Sequence, residues 1–204
     1  MDEEDRETGR RVSGADASAS EEDEYTVLTV AENKLTIPRQ YEFINHIGNG
    51  AFSQVVECQN RDTREAVVAK LPTFKQDTRK EVRTLRRLME QGADQSNIVK
   101  FFGSFETPFG KGMIFEKLDM SIGTFWWRHH PLPLSDIRTI IQQVATALEE
   151  MCLIHTDLHM GNIMICDHNL RPLTLKVIDF GLAVSTAEVT TDMNIQPVGV
   201  KLQK

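Results

Sequence analysis

The sequence predicts an α+β protein, and three observations predict it. Short β-branched runs separated by turn residues crowd residues 25 to 118, with a single amphipathic helix inserted among them. The strongest helical periodicity comes after them, over residues 135 to 151. A pair of short strands around a polar turn follows, so strands and helices are segregated and do not alternate as a parallel sheet requires.

Residues 1–24 hold ten acidic and three basic side chains and show no apolar periodicity. Such a composition cannot bury enough surface to offset ordering entropy, so an acidic disordered tail is expected. Residues 25–40 open with YTVLTV and read as an extended linker, ahead of a folded region at 41–204. From Tyr41, YEFINHIGNGAFSQVVECQNRDTREAVVAKL alternates strands with a glycine turn and the polar turn NRDT, which predicts a small antiparallel meander. DTRKEVRTLRRLMEQ, residues 77–91, puts Val82, Leu85, Leu88 and Met89 on one helical face, with Asp77 suited to the N-cap and Gly92 as a stop. IVKFFGSFE and GMIFEKL are two more strands. Over SDIRTIIQQVATALEEM, Ile137, Ile140, Ile141, Val144, Ala145, Leu148 and Met151 recur at helical spacing. NIMICD and LTLKVID then flank the turn DHNLRP.

Charge and composition narrow the function. Residues 25–204 carry twenty acidic and twenty basic side chains, so the net charge of -7 lies in the first 24 residues, and the folded part lacks the basic excess that nucleic acid binding needs. Cys58, Cys152 and Cys166 have no CxxC spacing, which argues against a disulfide framework or a zinc site and predicts buried or inert thiols. The start lacks the apolar core of a signal peptide, and no apolar run approaches the ~18 residues that span a bilayer. A nuclear or cytoplasmic protein without membrane partners is expected.

Three constellations carry chemistry. Gly48 and Gly50 sit in a turn between two strands, where backbone N–H groups can approach phosphate and Val55 can lie on a flat base. A hairpin with two glycines is by itself more often only a tight turn. Lys70 ends the run AVVAK, where Glu81 on the next helix could pair with it while the ammonium holds phosphates; alone, a strand-end lysine is more often solvated. HTDLHMGNIM places Asp157 five residues ahead of Asn162, and Asp179-Phe180-Gly181 follows the strand VID. Two carboxylates and an amide so placed can take a proton from a hydroxyl and hold Mg²⁺ against phosphate oxygens.

Together these residues resemble a eukaryotic protein kinase, and LPLSDIRTIIQQVATALEE, IHTDLHMGNIM and LKVIDFGLA are most similar to the homeodomain-interacting protein kinase family, over residues 41 to 198. The resemblance implies a two-lobed fold, here a complete β-rich lobe and a partial helical lobe, with ATP and Mg²⁺ between them and a protein substrate of the serine/threonine or dual-specificity kind. It implies that Ile47, Gly48, Gly50 and Val55 cover the nucleotide, that Val68 lines the adenine pocket, and that Lys70 contacts phosphates while paired to Glu81. Phe115 would be the gatekeeper, Glu116 to Leu118 the hinge, and Met164 the floor under adenine. Asp157 would deprotonate the substrate hydroxyl, with Asn162 and Asp179 holding magnesium.

Several positions depart from the family pattern. Ser53 replaces a third glycine, and Val68 stands in place of an alanine. Thr156 replaces an arginine that relatives in this family also lack. His159 replaces the lysine that touches the transferred phosphoryl group. A histidine, with an ordinary pKa of about 6.5, carries only part of a charge near neutral pH, so a slower enzyme is expected. The stretches from Lys70 to Glu81 and over EEMCLIH are shorter than in relatives, which predicts a poorer ion pair and a displaced catalytic loop. The chain ends before the Tyr-Arg-x-Pro-Glu segment and the helices that follow it in the family, so it reads as C-terminally incomplete. Its helix at 135–151 would then expose apolar surface suited to a covering partner. These departures motivate a competing reading, a truncated or pseudokinase-like module that binds nucleotide or a partner with little transfer. Trp126 and Trp127 are expected to pack on a large-lobe helix, and His129 and His130 to be solvated. The run Arg79, Lys80, Arg83, Arg86 and Arg87 reads as a solvated helix face.

Overall fold

A computed structural model of the chain describes residues 24–30, 33–50 and 52–188. The acidic tail expected to be disordered, apart from its last residue, and the segment beyond Glu188 lie outside the described residues. Strands β1 (Tyr25–Val30) and β2 (Asn33–Pro38) form an antiparallel hairpin. Residues 25–40, expected as a linker, are thus extended but folded back. Alternation along β2 turns Leu35 and Ile37 inward, where they are only 2% and 1% exposed, against Tyr41, Val56 and Cys58.

Next come β3 (Tyr41–Asn49), β4 (Ser53–Asn60), β5 (Ala66–Pro72), α1 (Arg79–Glu90), β6 (Phe101–Thr107) and β7 (Gly110–Glu116). The strands form one antiparallel sheet in the order β3-β4-β5-β7-β6. Its turn NRDT closes because the Asn60 side-chain oxygen accepts from the N–H groups of Asp62 and Thr63 at 2.9 and 3.2 Å. The two-residue period sorts the sheet into faces. Val56, Val67, Ala69 and Ile114 face the hairpin, while Val55, Val68, Lys70, Met113 and Phe115 face the other way.

Helix α1 buries Val82, Leu85 and Leu88 in a cluster with Phe101, Met113 and Phe180. It starts later than Asp77 suggests. The Asp77 carboxylate is drawn to the Arg79 guanidinium at 2.8 Å and to its N–H at 3.1 Å, leaving Thr78 at the cap. The Thr78 hydroxyl makes no cap bond, because it accepts from the Lys111 N–H at 2.7 Å. Gly92, with φ +73°, follows the last turn in the left-handed region that favours glycine.

The second lobe contains β8 (Met120–Ser121), α2 (Ile122–His129), α3 (Leu134–Glu150), β9 (Leu153–Ile154), β10 (Ile163–Ile165), β11 (Leu175–Val177) and β12 (Val184–Ser185). Strands β11, β10 and β8 make one sheet, and β12 pairs with β9. On α2, capped by the Ser121 hydroxyl, Ile122 and Phe125 are buried one turn apart. That geometry corrects the expectation for the tryptophans. Trp127 is 81% exposed and Trp126 nearly half exposed, because both fall off the buried stripe. On α3, Ala147 and Met151 are buried, Ile137, Ile140, Val144 and Leu148 only partly, and Ile141 stays 63% exposed.

Of the three thiols, all free, only Cys58 is buried; burial, aided by Glu57, pushes it up to about 12. Cys152 is exposed in the φ +47° turn that ends α3, and Cys166 is intermediate, so burial holds for one of the three. If the hairpin is part of the folded unit, Leu35→Ala should lower stability by about 2–4 kcal/mol in urea denaturation, with a single transition in both chains.

Candidate active site

The inner face of the five-stranded sheet and the β8-β10-β11 sheet enclose a cleft of about 460 Å³. Ile47, Gly50, Val55, Val68, Lys70, Phe115, Glu116, Leu118 and Met164 line it, and Gly48 does not. The Gly50 N–H donates to the Ser53 carbonyl at 2.8 Å, closing the turn over the cleft, and a Cβ on Gly50 would lie 3.2 Å from the Ser53 hydroxyl. Ser53, in the third glycine position, is thereby part of the turn. Asn45, Glu57, Val99, Lys117, Asp119 and Ile178 also line the cleft. Lys117 lies in the expected hinge; sequence reading missed the other five because each follows from strand alternation or lobe geometry and not from a motif.

Lys70 pairs across the sheet with Val55 and Met113, so its side chain leaves the inner face. Its ammonium donates to Glu81 Oε1 at 2.8 Å and to Asp179 Oδ1 at 3.0 Å. The expected weak ion pair is therefore corrected. Glu81 sits in the first turn of α1, and the buried Val82, Leu85 and Leu88 hold that turn over Lys70, so the short connection suffices. Burial alone would lower the lysine, but the Glu81 and Asp179 carboxylates outweigh it and hold the ammonium above its ordinary value. Two carboxyls share that one cation. Burial, against the pull of Lys70, pushes the Glu81 carboxyl up. Burial also works on Asp179, but Lys70 and the Gly181 N–H hold its carboxyl below the ordinary value.

Asp179 has φ +63°, which an aspartate tolerates better than most residues. This turn sends Asp179 to Lys70 and Phe180 into the α1 core at 1% exposure. A Cβ on Gly181 would lie 3.3 Å from Asp179 Oδ1 and 3.4 Å from Glu81 Oε2, so the bare backbone leaves room for both carboxylates.

The HTDLHMGNIM loop is fixed from behind. His155 is 3% exposed, bonds the Ile178 carbonyl through Nε2 at 3.0 Å and packs its ring on Phe180. Thr156, in place of the arginine, adopts φ +64° and donates its hydroxyl to the Leu182 carbonyl at 2.8 Å. Neither tether was anticipated. The Asn162 amide nitrogen donates to the Asp157 carbonyl at 2.9 Å and lies 3.4 Å from its carboxylate, leaving the amide oxygen as the other end. His159 Nε2 stands 3.9 Å from Asp157 Oδ2, and its Nδ1 accepts from the Gly161 N–H. The connection from α3 into this loop is short and ordered. Cys152 takes the turn in one left-handed residue, and Ile154 pairs with Val184 in register.

A β-rich lobe and a helix-bearing lobe that share one lysine between a helix carboxylate and a strand-end carboxylate define the two-lobed kinase fold. The chain belongs to the protein kinase domain family, whose match spans residues 41–197. It is similar to homeodomain-interacting protein kinase 2 of Mesocricetus auratus, 36% identical over 165 residues that cover 76% of this chain and 14% of that one. Homeodomain-interacting protein kinase 1 of Caenorhabditis elegans is 35% identical over 77% of this chain and 20% of its own. The chain thus spans a fifth or less of the length of these curated relatives. A crystal structure of a kinase domain superposes with a TM-score of 0.66 at 25% identity, covering 74% of this chain and 53% of that one.

The depressed carboxyl of Asp179 stabilises the fold above the ordinary aspartate value of about 3.9, and that contribution disappears as pH falls through the lower folded value. Thermal melts between pH 5 and 2 should therefore show a steeper acid loss for the wild-type chain than for Asp179→Asn.

Proposed function

We propose that the chain binds ATP with Mg²⁺ and transfers the γ-phosphoryl group to a serine or threonine hydroxyl of a protein substrate. The observation that carries this reading is the Lys70 ammonium held between Glu81 and Asp179 at the edge of an apolar cleft. Val55, Val68 and Met164 offer flat apolar contact to a base, and Lys70 offers a fixed cation to phosphate oxygens. The Asp179 carboxylate and the free oxygen of the Asn162 amide are hard donors of the kind magnesium takes, so the residues fit that ion. Bound there, magnesium would neutralise charge on the phosphates.

Asp157 accepts the proton of the attacking hydroxyl, and Asn162 fixes its orientation through the 2.9 Å bond to its carbonyl. His159 stands beside the same carboxylate, where family members carry a lysine. A module that binds without transferring was the alternative reading. Its motives were His159, the shortened connections and the missing C-terminal helices; the Lys70–Glu81 pair forms at 2.8 Å despite its short connection, which supports transfer. A nuclear or cytoplasmic site of action belongs to the same reading, supported by three cysteines without a disulfide. Among the described residues no helix is long and apolar enough to cross a membrane.

Radiolabel transfer from ATP to a generic basic protein should be abolished by Asp157→Asn. The same variant should still gain ~2.7 kcal/mol of stability from ATP and Mg²⁺ at 100 times their Kd, because binding does not use the Asp157 proton acceptor. Signal from the variant equal to the wild type would sink the assignment. Restoring the cation with His159→Lys should raise kcat by about tenfold with KM for ATP nearly unchanged.

A further inference from the structure

At the hinge edge of the cleft lies a second, partly buried ion pair that phosphate chemistry does not use. Glu116 ends β7 at the hinge, and Lys176 lies at the centre of β11, three residues before Asp179. Their side chains are only 22% and 15% exposed, and Lys176 Nζ lies 2.5 Å from Glu116 Oε1. The same carboxylate oxygen accepts from the Lys100 N–H at 2.6 Å, and the ammonium also donates to the Asp94 carbonyl at 3.1 Å. One lysine therefore gathers the hinge, the segment between α1 and β6, and the strand that leads to Asp179. Lys176 also pairs with Met164 across β10, and Met164 lines the cleft from below.

A partly buried pair gives up some hydration that apolar residues of the same volume would not lose. It does fix geometry in a way an apolar contact cannot, since charge-assisted bonds are short and directional. Building on the proposed nucleotide site, we infer that Lys176 is a positioning residue for its base end. By fixing the Glu116 carboxylate, it sets the path of residues 116–118 opposite Met164 and so the width of the slot a purine must enter. The expected ligand is the adenine base itself, and the effect is independent of the phosphates.

The test compares adenosine with ADP plus Mg²⁺, using calorimetric Kd values for the wild-type chain, Lys176→Met, Lys176→Arg and the neutral double variant Glu116→Gln/Lys176→Met. Lys176→Met should weaken adenosine and ADP by the same factor, about tenfold. Lys176→Arg should recover most of that loss. The double variant leaves no uncompensated charge, so it keeps the inference testable if Lys176→Met does not fold. It should weaken both ligands by the same factor, between about threefold and that tenfold. A loss confined to ADP in either neutral variant would place the effect on Asp179 and overturn the hinge role. A lower melting temperature with both affinities unchanged would make the pair merely structural and also overturn it. Failure of the wild-type chain to bind adenosine or ADP would instead remove the nucleotide site, and with it any role at its base end.

Discussion

One ammonium group serves two carboxylates, and the rest of the architecture can be read as what brings those three groups together. Lys70 comes from the middle of the sheet, Glu81 from the first turn of a helix and Asp179 from a turn more than a hundred residues later. Each is placed by apolar packing and not by the pair itself. Alternation along β5 aims Lys70, the buried stripe of α1 aims Glu81, and Phe180 in the α1 core aims Asp179. The hydrophobic effect supplies the energy, and the charges select which packed arrangement carries a site.

Much of this was legible in the residues. Strand periodicity, the α1 stripe and the α3 repeat are local signals and translate directly into elements. The motif residues around Lys70, Asp157 and Asp179 carry their chemistry in their spacing. Three kinds of feature were not legible. The hairpin of residues 25–40 looks like a linker because its inward side chains, Leu28, Leu35 and Ile37, are meaningful only against the outer face of the sheet. The tryptophan pair looks like core by residue type, but helix phase sets its exposure. The shortened connections look damaging because length is visible in sequence and turn geometry is not. Cys152 and Thr156, both at positive φ, make the turns on either side of β9 although neither is glycine.

Two histidines of one loop show how neighbourhood divides a single residue type. His155 is sealed between Ile178 and Phe180 and supports the turn that carries Asp179. His159 is half exposed beside Asp157. The first holds backbone and the second faces reactants, a distinction that the string HTDLH does not reveal.

The strand leading to Asp179 has a further property that follows from its neighbours. Gln143 of α3 accepts from the Leu175 N–H at 2.8 Å, and Asn97 donates to the Leu175 carbonyl at 2.8 Å, while Gln143 also bonds Asn97 and the Leu173 carbonyl. One residue pair further on, Val177 exchanges backbone bonds with Asn97 and Val99. Two side-chain amides thus act as a false strand along the outer margin of β11. A margin whose donors and acceptors are already occupied cannot template an intruding chain. The β11 edge of the three-stranded sheet beneath the cleft is in this way closed to an intruding strand by a glutamine on a helix, an asparagine side chain and the backbone beside it.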